Sequence, residues 1–353
     1  MKAARGAASS VLCAKAALVV ALLLAAAQRL AAQSRPIDLY RESMSFCCKP
    51  ADGYHDLDLF KDSTNNLIGD ACIPGAGVDE LRGLGIADLD ERLGRLRAGN
   101  VIALRDGRCT LTFPVITGRR RDDLAAAVRP VARALAPRVA EIGEEIARAV
   151  PGHEEMVFHL LWSRVVDQMW CRAWQREHRA GTCPPGVDWV LYPASPFTFG
   201  TNSWGNDLAV TWNWQTRCAV WPVVTAVRTA LLDAAAGKKY EGPEADSLRR
   251  YGLLDADGRF VGFAYREDSP LDSLLDRLTT EYAALAAGRY DYRRLAASLD
   301  IGVEQLWVIL FHETAYAVFA DLDQDGKLRV PRVLAGAGEP ADCRATVSFQ
   351  LHH

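Results

Sequence analysis

The sequence predicts an α+β fold that is predominantly helical, and three observations carry that expectation. Residues 154–174 and 271–285 hold apolar side chains at helical spacing, while 124–150 and 303–320 are Ala-rich or apolar stretches of helical length. Two Asp-Gly pairs, Asp106-Gly107 and Asp257-Gly258, sit between short apolar runs as hairpin turns do. Half of the residues are apolar and 24% charged, which is the balance of a globular chain. At 353 residues the chain outgrows a single core, so two domains, or one large domain with insertions, are expected.

Residues 1–32 read as a secretory signal peptide. Lys2, Arg5 and Lys15 make a positive leader, and residues 16–27 form an uncharged apolar run that Gln28 and Arg29 end. A membrane-spanning helix needs roughly twenty residues, so this run fits the core of a cleaved signal better than an anchor. Ala25-Ala26-Ala27 and Leu30-Ala31-Ala32 are the small-residue cleavage sites. No later stretch approaches a membrane span, so the mature chain is expected to be periplasmic or extracellular. Abundant Ala and Arg fit a GC-rich bacterial genome. The mature part would keep eight cysteines, an even number that in an oxidising compartment points to disulfides. Cys171 and Cys183 flank a short polar loop and form the expected local pair. Cys47, Cys48 and Cys72 could instead hold a soft metal, although no CxxC spacing supports that.

Residues 33–64 read as an irregular lead-in rich in Asp, Gly and Ser. In residues 65–118, two short helices are expected at 78–83 and 87–98, with Leu89, Leu93 and Leu96 on one face. Gly99-Asn100 stops the second helix, and a hairpin follows from 101–104 and 109–113 around Asp106-Gly107. A similar order recurs over 269–335: helices at 292–299 and 303–320, a break at Asp300-Ile301-Gly302, then Asp325-Gly326 opening a return strand at 327–330. Helix, helix and two-stranded wing resemble the winged helix-turn-helix superfamily over about residues 65–116, and again over 290–335. The resemblance implies a fold only. The expected architecture is therefore two winged-helix-like modules flanking a helical, aromatic-rich middle at 119–268, with a tail at 336–353. In that middle, Pro130 and Pro137 should kink or split the first long helix.

Four groups of residues offer chemistry. His312-Glu313 opens like a zinc-protease helix motif, yet Tyr316 stands where the second His ligand belongs; His153-Glu154 fails in the same way. Glu155, His159, Ser163 and Asp167 recur every fourth residue, which could orient a histidine as a general base or simply make polar pairs on a helix face. The run from Asp321 to Gly326 matches the first half of a calcium loop. Arg329 and Arg332 then occupy ligand positions of the second half, so a hairpin turn without calcium is expected. Last, residues 189–221 crowd aromatics among polar groups. Asn202, Trp204, Asp207, Trp212, Asn213 and Trp214 could line a ligand surface, or the rings could fill a core.

No phosphate loop, nucleophile elbow or dinucleotide fingerprint is present, and no cofactor is expected. The net charge of −3, and the mixed Asp88, Asp90, Glu91, Arg92, Arg95 and Arg97 on the first candidate recognition helix, argue against nucleic acid as a partner. The reading is an exported, disulfide-bonded binding or scaffolding protein for a small molecule or a protein. The alternative is an exported hydrolase using a Glu/His general-base pair.

Overall fold

The computed structural model describes residues 36–45, 53–193, 200–204, 207–212, 220–266, 270–334 and 339–351. It is an α+β structure with 58% helix and only small sheets, as the helical periodicities require. The chain divides into two units. The first comprises Met1–Ser43 with Tyr54–Phe113, and the second Met44–Gly53 with Pro114–His353.

In the first unit, helix α1 (Ser63–Cys72) starts where the Asp62 carboxylate accepts the backbone N–H groups of Thr64 and Asn65 at 2.8 and 3.0 Å. A turn through Gly75, whose φ of +83° suits glycine, leads into β1 (Ala76–Gly77). Helices α2 (Val78–Arg82) and α3 (Leu89–Ala98) follow, and α3 buries the Leu89, Leu93 and Leu96 face that its spacing marked. The hairpin of β2 (Ile102–Arg105) and β3 (Arg108–Leu111) turns at Asp106 and Gly107, both at positive φ, as a tight primed turn demands. β3 is central in the sheet order β1–β3–β2.

The second unit is built on α4 (Gly118–Ala149), which runs unbroken through Pro130 and Pro137. The expected split does not occur. Both prolines lie on the exposed face, where carbonyls deprived of a helical partner can turn to water. The opposite face, from Leu124 through Leu135 to Ile146, is buried. A second helical run continues from α5 (Val157–Leu160) through a six-residue π-helix, Leu161–Val166, into α6 (Asp167–His178). The Cys171–Cys183 disulfide ties the end of this run to the strand region that follows, and Cys343 is disulfide-bonded as well.

Strand β4 (Val115–Ile116) lies parallel to β5 (Asp188–Leu191). Strands β6 (Gly200–Trp204) and β7 (Leu208–Trp212) form a hairpin in a four-stranded sheet. There β9 (Val347–Leu351) separates β7 from β8 (Phe263–Arg266), antiparallel to the first and parallel to the second. Helices α7 (Val220–Ala226), α8 (Arg228–Ala235) and α9 (Ala245–Arg250) connect β7 to β8. Helix α10 (Leu271–Arg289) packs on α4 and α6, and α12 (Val303–Gln324) packs along α4 after the short α11 (Tyr292–Leu299). Residues 119–268 and 269–335 thus share one core, with no boundary near 268.

The return strand expected at 327–330 is absent. Asp321 to Gln324 remain in α12, and the N–H groups of Lys327 and Leu328 cap the Leu322 carbonyl at 2.9 and 3.2 Å. The Asp321 to Gly326 segment is therefore a helix end and not a hairpin turn. Among the described residues no single helix is long and apolar enough to cross a membrane. The apolar α12 owes its composition to burial on nearly every side.

Candidate functional site

Helix α12 carries one charged side chain between Glu304 and Asp321, and it is Glu313. That carboxyl opens on a cavity of about 240 Å³. Arg121, Leu124 and Val128 of α4 wall one side, Leu191 of β5 another, and Glu313 and Tyr316 of α12 the third. Leu124, Val128, Leu191 and Tyr316 give the wall its apolar part, and Arg121, Arg129 and Asp321 make the rest of it polar. Oε1 of Glu313 is itself buried and meets no hydrogen-bond partner among the described residues. Burial pushes the Glu313 pKa up to about 8, and the positive charge of Arg121 only partly opposes this. The group is a neutral carboxylic acid across most of the physiological range.

His312 is next in the chain but faces elsewhere. Its Nδ1 donates to the Val308 carbonyl at 2.6 Å, and Nε2 faces Oδ1 of Asp167 at 3.9 Å. The rings of Trp170, Trp189, Phe311 and Tyr316 surround it. Burial holds its pKa down, while Asp167 pulls the other way. Successive helical residues point about 100° apart, so His312 and Glu313 do not act on one point.

The four-residue stripe is separated in the same way. His159 is fully buried and held at both nitrogens, Nδ1 with Thr211 Oγ1 and Nε2 with Ser348 Oγ, each at 2.8 Å. Burial, with a smaller contribution from Arg164, brings its pKa down to about 3, so it fastens α5 to β7 and β9 as a neutral ring. Glu155 is exposed and lies 3.7 Å from His153, not beside His159. The π-helix between His159 and Asp167 replaces i→i+4 bonding by i→i+5, which rotates the later residues off the stripe. Asp167 consequently turns to His312.

In the aromatic segment, Asp207 is buried and ion-paired with Arg228. Trp189 is enclosed beside His312, and the Trp212 indole lies so close to Gly200 that a Cβ there would sit 2.6 Å from it. Those three side chains are committed to packing or pairing. Asn202 and Trp204 are on β6 but their side chains, like Asn213 and Trp214 altogether, lie outside the described residues.

Sequence reasoning missed Arg121, Leu124, Val128, Leu191 and Tyr316 as partners of Glu313. The one legible signal was a lone carboxylate in an otherwise uncharged run of α12. Arg121 is hidden in the run Arg119-Arg120-Arg121, and the remaining wall is ordinary apolar sequence. A second, larger and more open depression of about 710 Å³ is lined by residues that include Trp174, His178, Tyr292 and Trp307. These rings stack on one another, Trp174 on His178 at 3.6 Å and Tyr292 on Trp307 at 5.2 Å, which leaves little ring face for a ligand. No protein-family model, curated protein or solved structure matches this chain.

Proposed function

We propose that this protein binds a small, largely apolar molecule carrying a hydrogen-bond acceptor, with Glu313 as its polar anchor. The observation that carries the reading is Glu313 in the lining of a cavity of mixed polarity, with one of its carboxyl oxygens buried and without a partner among the described residues. A ligand that reaches the carboxyl from the cavity gains a hydrogen bond of about 0.5–1.5 kcal/mol. The volume lies below the roughly 300–1,000 Å³ of sites for drug-sized ligands, so the molecule is small. The neutral acid donates to a carbonyl or similar acceptor, and Leu124, Val128 and Leu191 cover the apolar remainder.

The hydrolase reading has less support. His159 has both nitrogens engaged, and His312 is turned to Asp167. Export of the chain remains our reading of its leader, in keeping with the Cys171–Cys183 bond. N-terminal sequencing of secreted protein should begin just after Ala27 or Ala32. The helix–strand–helix–helix–hairpin order of the first unit supports a winged-helix-like module. Its α3 exposes Asp90 and Glu91 beside Arg95 and Arg97, which suits protein contact better than phosphate.

Titration of the full chain at pH 6 with cyclohexanone and with δ-valerolactam tests the site by melting temperature and calorimetry. Saturable stabilisation is expected, weakened about tenfold in Glu313→Leu, the loss of one donor bond of about 1.4 kcal/mol. Leu124→Trp, which fills the cavity, should abolish it. No saturable response to either probe, or an equal response in all three proteins, would overturn the assignment.

A further inference from the structure

Two buried thiols in the first unit serve neither the cavity nor the Cys171–Cys183 bond. Cys72 is the last residue of α1, and Cys109 lies in the central strand β3; both are fully buried. The backbone brings them together. The Gly75 N–H donates to the Cys72 carbonyl at 3.0 Å, closing a tight turn, and the Arg108 guanidinium donates to the Gly75 carbonyl from the adjoining strand. Four residues after Cys72, Ala76 enters β1 and pairs in register with Cys109. The end of α1 is thereby held against β3, which places the buried Cys72 and Cys109 thiols close enough to perturb each other's ionisation. The neighbouring Cys109, and then burial, push the Cys72 thiol far above its ordinary range, while the same contact lowers that of Cys109, and neither sulfur is open to solvent once the unit is closed.

We propose that Cys72 and Cys109 are a disulfide site, closed by a disulfide oxidant while the first unit folds. Two buried thiols on a helix end and on the strand packed against it are placed to form a bond of about 2.05 Å. An oxidant cannot reach two fully buried sulfurs, so the reaction falls before burial is complete. Then one thiol loses its proton, and the thiolate attacks the oxidant's disulfide to give a mixed disulfide. The second thiolate attacks that bond, forming Cys72–Cys109 and releasing the oxidant as a dithiol. Two protons and two electrons leave the chain, and the oxidant takes up both. The bond would staple α1 to the strand that organises this sheet, and it would preclude any metal role for Cys72.

The test is independent of where the cell places the protein. Full-length chain is refolded in a mixture of oxidised and reduced glutathione, denatured, alkylated without reductant and digested with trypsin. The expected product joins the peptides 62–82 and 109–119, with neither cysteine alkylated. The Cys171–Cys183 cross-link in the same digest reports that the conditions were oxidising enough. Recovery of Cys72 and Cys109 as alkylated thiols beside an intact Cys171–Cys183 link would overturn the proposal. So would their capture in bonds to other cysteines. In Cys109→Ala the Cys72 peptide should instead be recovered alkylated, and its persistence in a cross-link would equally count against the pairing.

Discussion

Asp167 Oδ1 and His312 Nε2 lie 3.9 Å apart inside the second unit, while Nδ1 of the same ring is committed to the Val308 carbonyl. The Nδ1 bond fixes the tautomer, because only an N–H can donate to a carbonyl. Nε2 then carries the lone pair when the ring is neutral, and at 3.9 Å the carboxyl faces it without a hydrogen bond. An asparagine can supply its amide N–H to the same nitrogen. Asp167→Asn should therefore cost less than 1 kcal/mol in urea unfolding, whereas Asp167→Ala, which strands the ring, should cost about 1–3 kcal/mol. Equal losses in the two variants would mean that the contact depends on the charge of the carboxyl and not on a polar side chain of its shape.

Glu313 sets an alkaline limit on stability. Its folded pKa, about 8, lies above the ordinary carboxylate value of 4.5, so the folded state holds the proton more tightly than the unfolded chain. Stability from this group is complete below about pH 4.5 and is lost as pH rises through 8. The loss is about 5 kcal/mol at most, by conversion of the shift. Glu313→Gln should flatten the decline of the urea midpoint between pH 5 and pH 9, and an unchanged slope would show that another group governs it. The same titration should weaken acceptor ligands above pH 8, since the carboxylate can no longer donate.

His159 sets the acid limit, with the opposite sign. Burial lowers the ring's pKa to about 3 from 6.5, so the unfolded chain takes up the proton first. Stability is complete above pH 6.5 and falls as pH drops toward 3, with a slope of one proton. His159→Gln keeps an acceptor and a donor toward Thr211 and Ser348 but cannot titrate. Its stability at neutral pH will be lower, yet its slope between pH 6 and pH 4 should be smaller by one proton. A slope equal to that of the parent protein would contradict the buried, doubly bonded ring.

The Cys171–Cys183 bond closes a short loop, with a sequence separation of 12. Replacing both cysteines by alanine should destabilise the chain by about 2–4 kcal/mol, seen as a lower urea midpoint with an unchanged slope. Adding reductant should shift the parent protein toward the double variant and leave the variant itself unmoved. A midpoint unaffected by the double substitution would mean that the loop is already ordered without its bond.

Several local features were legible because their causes are local. The Leu89, Leu93 and Leu96 spacing located α3, Asp106-Gly107 located a turn at positive φ, and the polar loop between Cys171 and Cys183 suggested a bond that the structure contains. The misreadings came where distant packing outweighed local propensity. Pro130 and Pro137 do not break α4, because a long buried face outweighs the few hydrogen bonds they remove. Asp325-Gly326 ends a helix instead of opening a hairpin, because no strand among the described residues pairs with 327–330.

The sequence by itself determined the helical class, several helix starts and stops, one disulfide and the lone carboxylate of α12. Only the tertiary structure decided what that carboxylate does. Glu313 has its pKa raised to about 8 because α4 and β5, far away in the chain, pack beside it and take it partly out of water. His159, by the same physics, becomes a neutral fastener because Thr211 and Ser348 reach both of its nitrogens from strands 52 and 189 residues away. A side chain's identity is written in the sequence, but its dielectric surroundings and its partners are set by which distant elements pack against it.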